Sequence, residues 1–83
     1  MIYKVVLKKS VARDLKKIQK EQADTILKKI KHDLPEKAVT CPCLTGKFAN
    51  LRKYRVGDYR IIFSIIGDTV IVLRISHRRE VYR

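Results

Sequence analysis

The sequence predicts an α+β domain in which two helices cover one face of a four-stranded sheet. Three features point there. Residues 2–8 alternate, with Tyr3, Val5 and Leu7 on one side, the period-two pattern of a half-buried strand. From Val11 to Leu34 the apolar residues recur three and four apart instead, as they do on one face of a helix. From Leu51 onward the strand pattern returns in three segments, 51–56, 59–66 and 69–75, separated by Gly57-Asp58 and Gly67-Asp68.

Each element follows from local chemistry. A lone first strand would leave its backbone N–H and C=O groups unpaired, so residues 2–8 must join the sheet that the later strands build. Ser10 stands where a helix N-cap belongs, and Val11, Leu15 and Ile18 then make one narrow apolar stripe. After residues 19–22 the stripe resumes as Ala23, Ile26 or Leu27, Ile30 and Leu34. Pro35, which has no N–H to donate, is expected to end it. The pair reads as a helical hairpin or one bent helix. Its outer faces carry Lys16, Lys17, Lys20, Lys28, Lys29 and Lys31, and such a lysine run is most often a solvated surface. Residues 36–50 hold Pro42, Gly46 and Asn50 without a period and read as a loop. Both Gly-Asp pairs suit two-residue hairpin turns whose first residue has positive φ, which makes the last three strands an antiparallel meander.

With 83 residues the chain has room for one domain, residues 1–83, and not for a two-domain enzyme with a deep cleft. Twenty Lys plus Arg against eight Asp plus Glu give a net charge of +12, while 46% of residues are hydrophobic. The apolar content excludes a disordered tail, and the charge points to a polyanionic partner: nucleic acid, an anionic membrane surface or an acidic protein. The longest uncharged stretch, residues 38–46, is too short to span a bilayer, and the basic helices lack the exposed aromatic face that a surface-bound helix inserts, so no membrane partner is expected. The alternating N-terminus does not resemble a secretion signal, and a cytoplasmic location is expected. Cys41 and Cys43 flank Pro42, too close for a disulfide and too few for zinc, and read as reduced thiols. No metal and no cofactor are expected.

The turns fix where charges meet. Counting back from Gly57-Asp58 places Val56 opposite Tyr59, Arg55 opposite Arg60, Tyr54 opposite Ile61 and Lys53 opposite Ile62. Lys53, Arg55 and Arg60 therefore share a face. Two arginines directly opposite one another destabilise a hairpin unless an anion sits there; the alternative is that Asp58 or Glu80 neutralises the group. Counting from Gly67-Asp68 puts Ile75 opposite Arg60, so the C-terminal segment should bring His77, Arg78, Arg79, Tyr82 and Arg83 to the same place. Seven of the eight arginines lie at or after Arg52, whereas ten of the twelve lysines lie at or before Lys37. A guanidinium grips phosphate with a rigid fork and an ammonium attracts it as a point charge. The arginines mark a site, and the lysines supply a field around it.

Neither a glycine-rich phosphate loop, a nucleophile elbow nor a carboxylate cluster for a divalent metal is present in the sequence. Metal-free phosphoryl chemistry remains, in which an RNA 2′-hydroxyl attacks its neighbouring phosphate while cations stabilise the transition state and side chains move protons. Tyr82 or Lys53 would accept a proton only if surrounding positive charge lowered its pKa, and His77 titrates nearer neutrality. Read by residue type alone, the tail could equally be a basic segment that binds phosphates.

Four stretches carry a family resemblance: residues 10–18, Leu44 to Lys47, residues 54–63 with Gly57-Asp58-Tyr59-Arg60, and the ending from Ile75 to Tyr82. Together they resemble the RelE-type mRNA interferases of the RelE/ParE toxin–antitoxin superfamily, over nearly the whole chain. The resemblance implies a compact microbial-RNase-like fold and a toxin of a type II pair. Such a toxin is a metal-independent endoribonuclease that cuts mRNA in the ribosomal A site and is held inactive by a RelB-like antitoxin, acidic or amphipathic. It implies that Arg60 binds the scissile phosphate, that Lys53 activates the 2′-hydroxyl or stabilises charge, that Tyr82 orients the base, and that Arg78, rather than Arg79, is the second catalytic arginine. Lys47, Arg52, Arg55, His77, Arg79 and Arg83 are candidate RNA contacts. Leu51 stands where the best-known members carry another lysine, a loss for which Arg52 or Lys47 would have to compensate. The competing readings are a ParE-like DNA gyrase poison on the same fold and a non-catalytic RNA- or ribosome-binding module.

Overall fold

The computed structural model describes residues 2–44, 46, 50–77 and 79. The elements run β1 (Lys4–Leu7), α1 (Lys9–Lys16), α2 (Lys20–Lys37), a 3₁₀ turn (Ala38–Thr40), β2 (Arg52–Val56), β3 (Tyr59–Ile66) and β4 (Thr69–His77). They form the expected α+β arrangement of two helices on a four-stranded sheet. Its strand order is β1-β4-β3-β2, with β1 parallel to β4 and the other neighbours antiparallel. The core lies between sheet and helices. Ile61, Phe63, Val70, Val72 and Ile75 from the strands pack with Val11, Ile26, Ile30, Leu34 and Ala38 from the helical layer. Of the two candidates in the second helix, Ile26 is the buried one and Leu27 is only partly covered. Fully burying a side chain such as Phe63 or Ile30 stabilises the fold by roughly 1.5–3 kcal/mol, so this one seam supplies much of what holds the sheet to the helices.

Both meander turns fall where the glycines put them. Gly57 has φ 58° and Gly67 φ 60°, and among the described residues no non-glycine has a positive φ. Positive φ at the first central residue alone is the signature of a type II′ turn, whose twist matches that of the flanking strands.

Three sequence expectations are corrected. Ser10 does not cap α1. The helix begins two residues earlier, at Lys9 behind Lys8, without a side-chain cap. The Ser10 hydroxyl instead donates to the carbonyl of Leu73. Pro35 does not end α2, which runs on to Lys37. A proline this near the C-terminus forfeits one hydrogen bond in the last turn, and Leu34 and Ala38, four residues apart and both buried, hold that turn in the core. The Pro35 carbonyl accepts from the N–H of Tyr3 at 2.9 Å, tying the helix end to the start of β1.

The third correction bears on function. β4 carries a bulge. Phe63 faces Val72, but Ile62 faces Arg74, so Leu73 has no partner in β3 and every later residue is displaced by one. Ile61 thus faces Ile75, and Arg60 faces Ser76 rather than Ile75. A one-residue slip exchanges the two faces of a strand. Here it returns Ile75 to the core, where Arg74 would otherwise have gone. α1 covers the β4 edge beyond the end of β1. Asp14 Oδ2 accepts from the Ile75 N–H at 2.9 Å and from Arg74 Nε at 3.0 Å, and Oδ1 accepts from Arg74 Nη2 at 3.3 Å. A buried carboxylate thereby satisfies backbone that no strand reaches.

Candidate functional site

The hairpin register is the one counted from the sequence: Arg55 faces Arg60, and Lys53 faces Ile62. Their neighbours Tyr54 and Ile61 pack with the core, so alternation turns Lys53, Arg55 and Arg60 to the opposite, helix-free face. With Ser76 across from Arg60, the side chains of Arg55, Arg60 and Ser76 form one row over three strands. Alongside β2 the chain is strapped back on itself: the Leu44 N–H donates to the Leu51 carbonyl at 2.8 Å, and the Lys53 N–H donates to the Pro42 carbonyl at 3.1 Å. Between this strap, the end of α2 and the strands lies a cleft of about 430 Å³ lined by Lys37, Cys41, Lys53, Tyr54, Arg55 and Arg60, among others. Four cations therefore line one concavity. Among the described residues no carboxylate lies in salt-bridge range of Lys53 or Arg55.

The uncharged walls are chemically quiet. The Tyr54 hydroxyl donates to Asp33 Oδ2 on α2. Burial and that hydrogen bond push the Tyr54 phenol up to about 12. The same bond, helped by Lys37, Lys29 and His32, holds the Asp33 carboxylate below its ordinary value against a smaller opposing effect of burial. Tyr54 is thus a fixed donor and no proton acceptor at neutral pH. Cys41 is buried, its Sγ donates to the Lys37 carbonyl at 3.4 Å, and burial raises its thiol pKa despite Arg52 and Lys37 nearby. It is a poor nucleophile.

The other sequence candidates divide. Arg52 points to the helix side, because it pairs with the buried Phe63, and its Nη1 donates to the carbonyls of Cys41 at 2.8 Å and Val39 at 3.1 Å. It anchors the 3₁₀ turn and does not replace the lysine missing at Leu51. The bulge likewise moves His77 off the cationic face. His77 faces Tyr59 in the ladder, and their rings meet edge to face with centroids 5.2 Å apart. Arg79 is exposed, and its N–H donates to His77 Nδ1 at 3.2 Å. Lys47, Arg78, Tyr82 and Arg83 lie outside the described residues, as does Glu80. Sequence reasoning missed Lys37 and Ser76. Lys37 reaches the cleft only because α2 continues past Pro35. Ser76 could have been found from Arg74, since an unbroken β4 would have buried that arginine in the phase of Val70 and Val72. Among the described residues no three His, Cys, Asp or Glu side chains gather where they would hold a metal ion.

A family model described as the ParE toxin of type II toxin–antitoxin systems matches residues 5–82. The chain belongs to this toxin family. It is thus a type II toxin of the RelE/ParE superfamily. Toxin RelE3 of Methanocaldococcus jannaschii is 43% identical to it over 35 residues, a stretch that covers 42% of this chain and 40% of that relative. The toxin therefore aligns with less than half of that relative's length. In fold it is similar to the RelBE2 toxin–antitoxin complex of Mycobacterium tuberculosis, with a TM-score of 0.87 and 26% identity over 94% of this chain and 100% of that one. It is similar also to the RelB–RelE complex of Methanococcus jannaschii, with a TM-score of 0.64 and 25% identity over 93% and 94% of the two chains. The chromosomal ParDE system of P. aeruginosa shares the fold at 18% identity, with a TM-score of 0.71 over 92% and 96%.

Proposed function

We propose that this toxin is a metal-independent endoribonuclease that cuts mRNA in the ribosomal A site. The observation that carries the proposal is the cleft in which Lys37, Lys53, Arg55 and Arg60 converge. A phosphodiester placed there meets two guanidinium forks on adjacent strands, which offset the second negative charge that develops on the phosphorus oxygens in the transition state. The 2′-hydroxyl attacks phosphorus, its proton passes to a base, and the 5′-oxygen of the next nucleotide departs with a proton, leaving a 2′,3′-cyclic phosphate and a 5′-hydroxyl. Lys53, beside Arg55, stabilises the attacking oxygen or takes its proton. Tyr54 does not take it, because its phenol is tied to Asp33. By resemblance Tyr82 orients the base and Arg78 supplies a further cation. In this reading the toxin works in the cytoplasm, on ribosomes, and is silenced by a RelB-like antitoxin whose acidic or amphipathic segment covers the same cations.

The test is to add purified toxin to a translation reaction and map mRNA 5′ ends by primer extension. New ends within A-site codons are expected. Intact mRNA at a dose that stops translation in that reaction would contradict the proposal.

A second reading, a DNA gyrase poison, is favoured by the ParE description of the matching family. It is distinguished by a supercoiling assay in which cleavage complexes accumulate while mRNA stays whole.

A further inference from the structure

The end of the sheet has a second charged hollow on its other face. Between the end of α1 and the end of β4 lies a pocket of about 220 Å³ whose walls include Asp14, Lys17, Tyr59, Arg74 and His77. Asp14 is already engaged, with both oxygens taken by Arg74 and the Ile75 N–H. Lys17 is exposed, and among the described residues no carboxylate lies in salt-bridge range of it. The His77 Nδ1 lone pair accepts the Arg79 N–H, so in the neutral ring the proton sits on Nε2, which remains a donor. Tyr59 and His77 present two rings at 88° to each other, an aromatic corner with donors around it.

Its position in the chain gives this corner meaning. Tyr59 precedes Arg60 and His77 follows Ser76, and Arg60 and Ser76 belong to the cationic row. Consecutive Cα atoms lie about 3.8 Å apart, with side chains on opposite faces. The end of the sheet therefore carries phosphate-binding groups on one side and, one residue away, an aromatic and basic pocket on the other. Single-stranded RNA is bound by such pairs of features, its bases stacked on aromatic rings and its backbone tracked by cations.

We propose that this pocket holds the nucleotide adjoining the scissile phosphate, with its base against Tyr59 and His77 and its phosphate on Lys17. The strand passes over the end of the sheet from one face to the other. The inference rests on RNA being the ligand of the cationic cleft, and the experiment separates the two.

The probe is a tetranucleotide with 2′-O-methyl groups throughout, which has no nucleophile and is not cut. Its binding is followed by nuclear magnetic resonance at the rings of Tyr59 and His77 and at Arg60 Nε. All three are expected to shift and saturate together. Lys17→Gln combined with His77→Ala should weaken binding about fivefold or more, the low end for losing a stacked base, while Arg60 still reports the bound probe. Lys17→Gln alone, at an exposed position, covers the case in which loss of His77 disturbs the fold; it should weaken binding in the same direction. Saturation at Arg60 with Tyr59 and His77 unmoved, and unchanged affinity in the variants, would overturn the pocket and leave the cleft reading intact. No shift at any of the three, with no mRNA cleavage in the translation reaction, would remove both.

Discussion

Arg55 and Arg60 stand directly opposite one another in the β2–β3 ladder, on the face away from the core. Like charges in that position destabilise a hairpin by roughly 0.2–1 kcal/mol, a cost that an anion bound between them removes. Arg55→Gln, which keeps length and polarity, should therefore stabilise the ligand-free toxin by about 0.5 kcal/mol. The variant should also lose most of the gain in Tm that the parent toxin shows on adding inorganic phosphate. Calorimetric scans of the two proteins with and without phosphate check this. An equal rise in both would mean that the pair does not hold the anion.

Asp14 joins α1 to the exposed stretch of β4 through the Ile75 N–H and Arg74. Asp14→Ala leaves that buried N–H without a partner. It should cost about 1–3 kcal/mol, the usual range for an orphaned buried polar group, seen as a lower urea midpoint with an unchanged slope. Arg74→Ala should cost less, since its guanidinium is largely exposed.

The Tyr54 and Asp33 pair gives stability a pH signature at both extremes. Asp33 has a folded pKa below its ordinary 3.8, so its contribution is full above that value and is lost as pH falls through the lower folded pKa. Tyr54 has a folded pKa raised from 10.0 to about 12, so its contribution is full below 10.0 and is lost as pH climbs towards the folded value. Tyr54→Phe should flatten both limbs relative to the parent in urea midpoints measured from strongly acid to strongly alkaline buffers. Parallel curves would count against the coupling.

Ser76 owes its place opposite Arg60 to the bulge at Leu73. If Ser76, facing Arg60, donates to the phosphate in the proposed cleft, Ser76→Ala removes a charge-assisted hydrogen bond and should slow mRNA cleavage about tenfold or more, with recovery in Ser76→Thr. Single-turnover rates on programmed ribosomes provide the measurement, and an unchanged rate for the alanine variant would exclude Ser76 from the site.

The legibility of these elements differed for physical reasons. The β2–β3 register could be counted because a two-residue turn with a leading glycine admits one pairing. That alone brought Lys53, Arg55 and Arg60 together. The β3–β4 register could not be counted to its end, because Val70 and Val72 offer one apolar phase and Ile71, Leu73 and Ile75 the other. The choice between them is made by core packing and by Asp14, sixty-one residues away from Ile75. The same blindness to tertiary partners hid the roles of Ser10, which serves Leu73, and of Arg52, which serves the Val39 and Cys41 carbonyls. The family, by contrast, was readable from the hairpin and the C-terminal residues, since a run such as Tyr54 to Phe63 joins turn chemistry and site chemistry in one segment.

The convergence of the cleft cations on one phosphodiester is tested most directly by single-turnover cleavage of ribosome-bound mRNA with Arg60→Ala and Lys53→Ala, each first shown to fold and to bind its antitoxin. The expected result is a loss of about a hundredfold or more for Arg60→Ala, the scale for removing a transition-state charge stabiliser, with Lys53→Ala also impaired. Cleavage at the parent rate in both variants would contradict it.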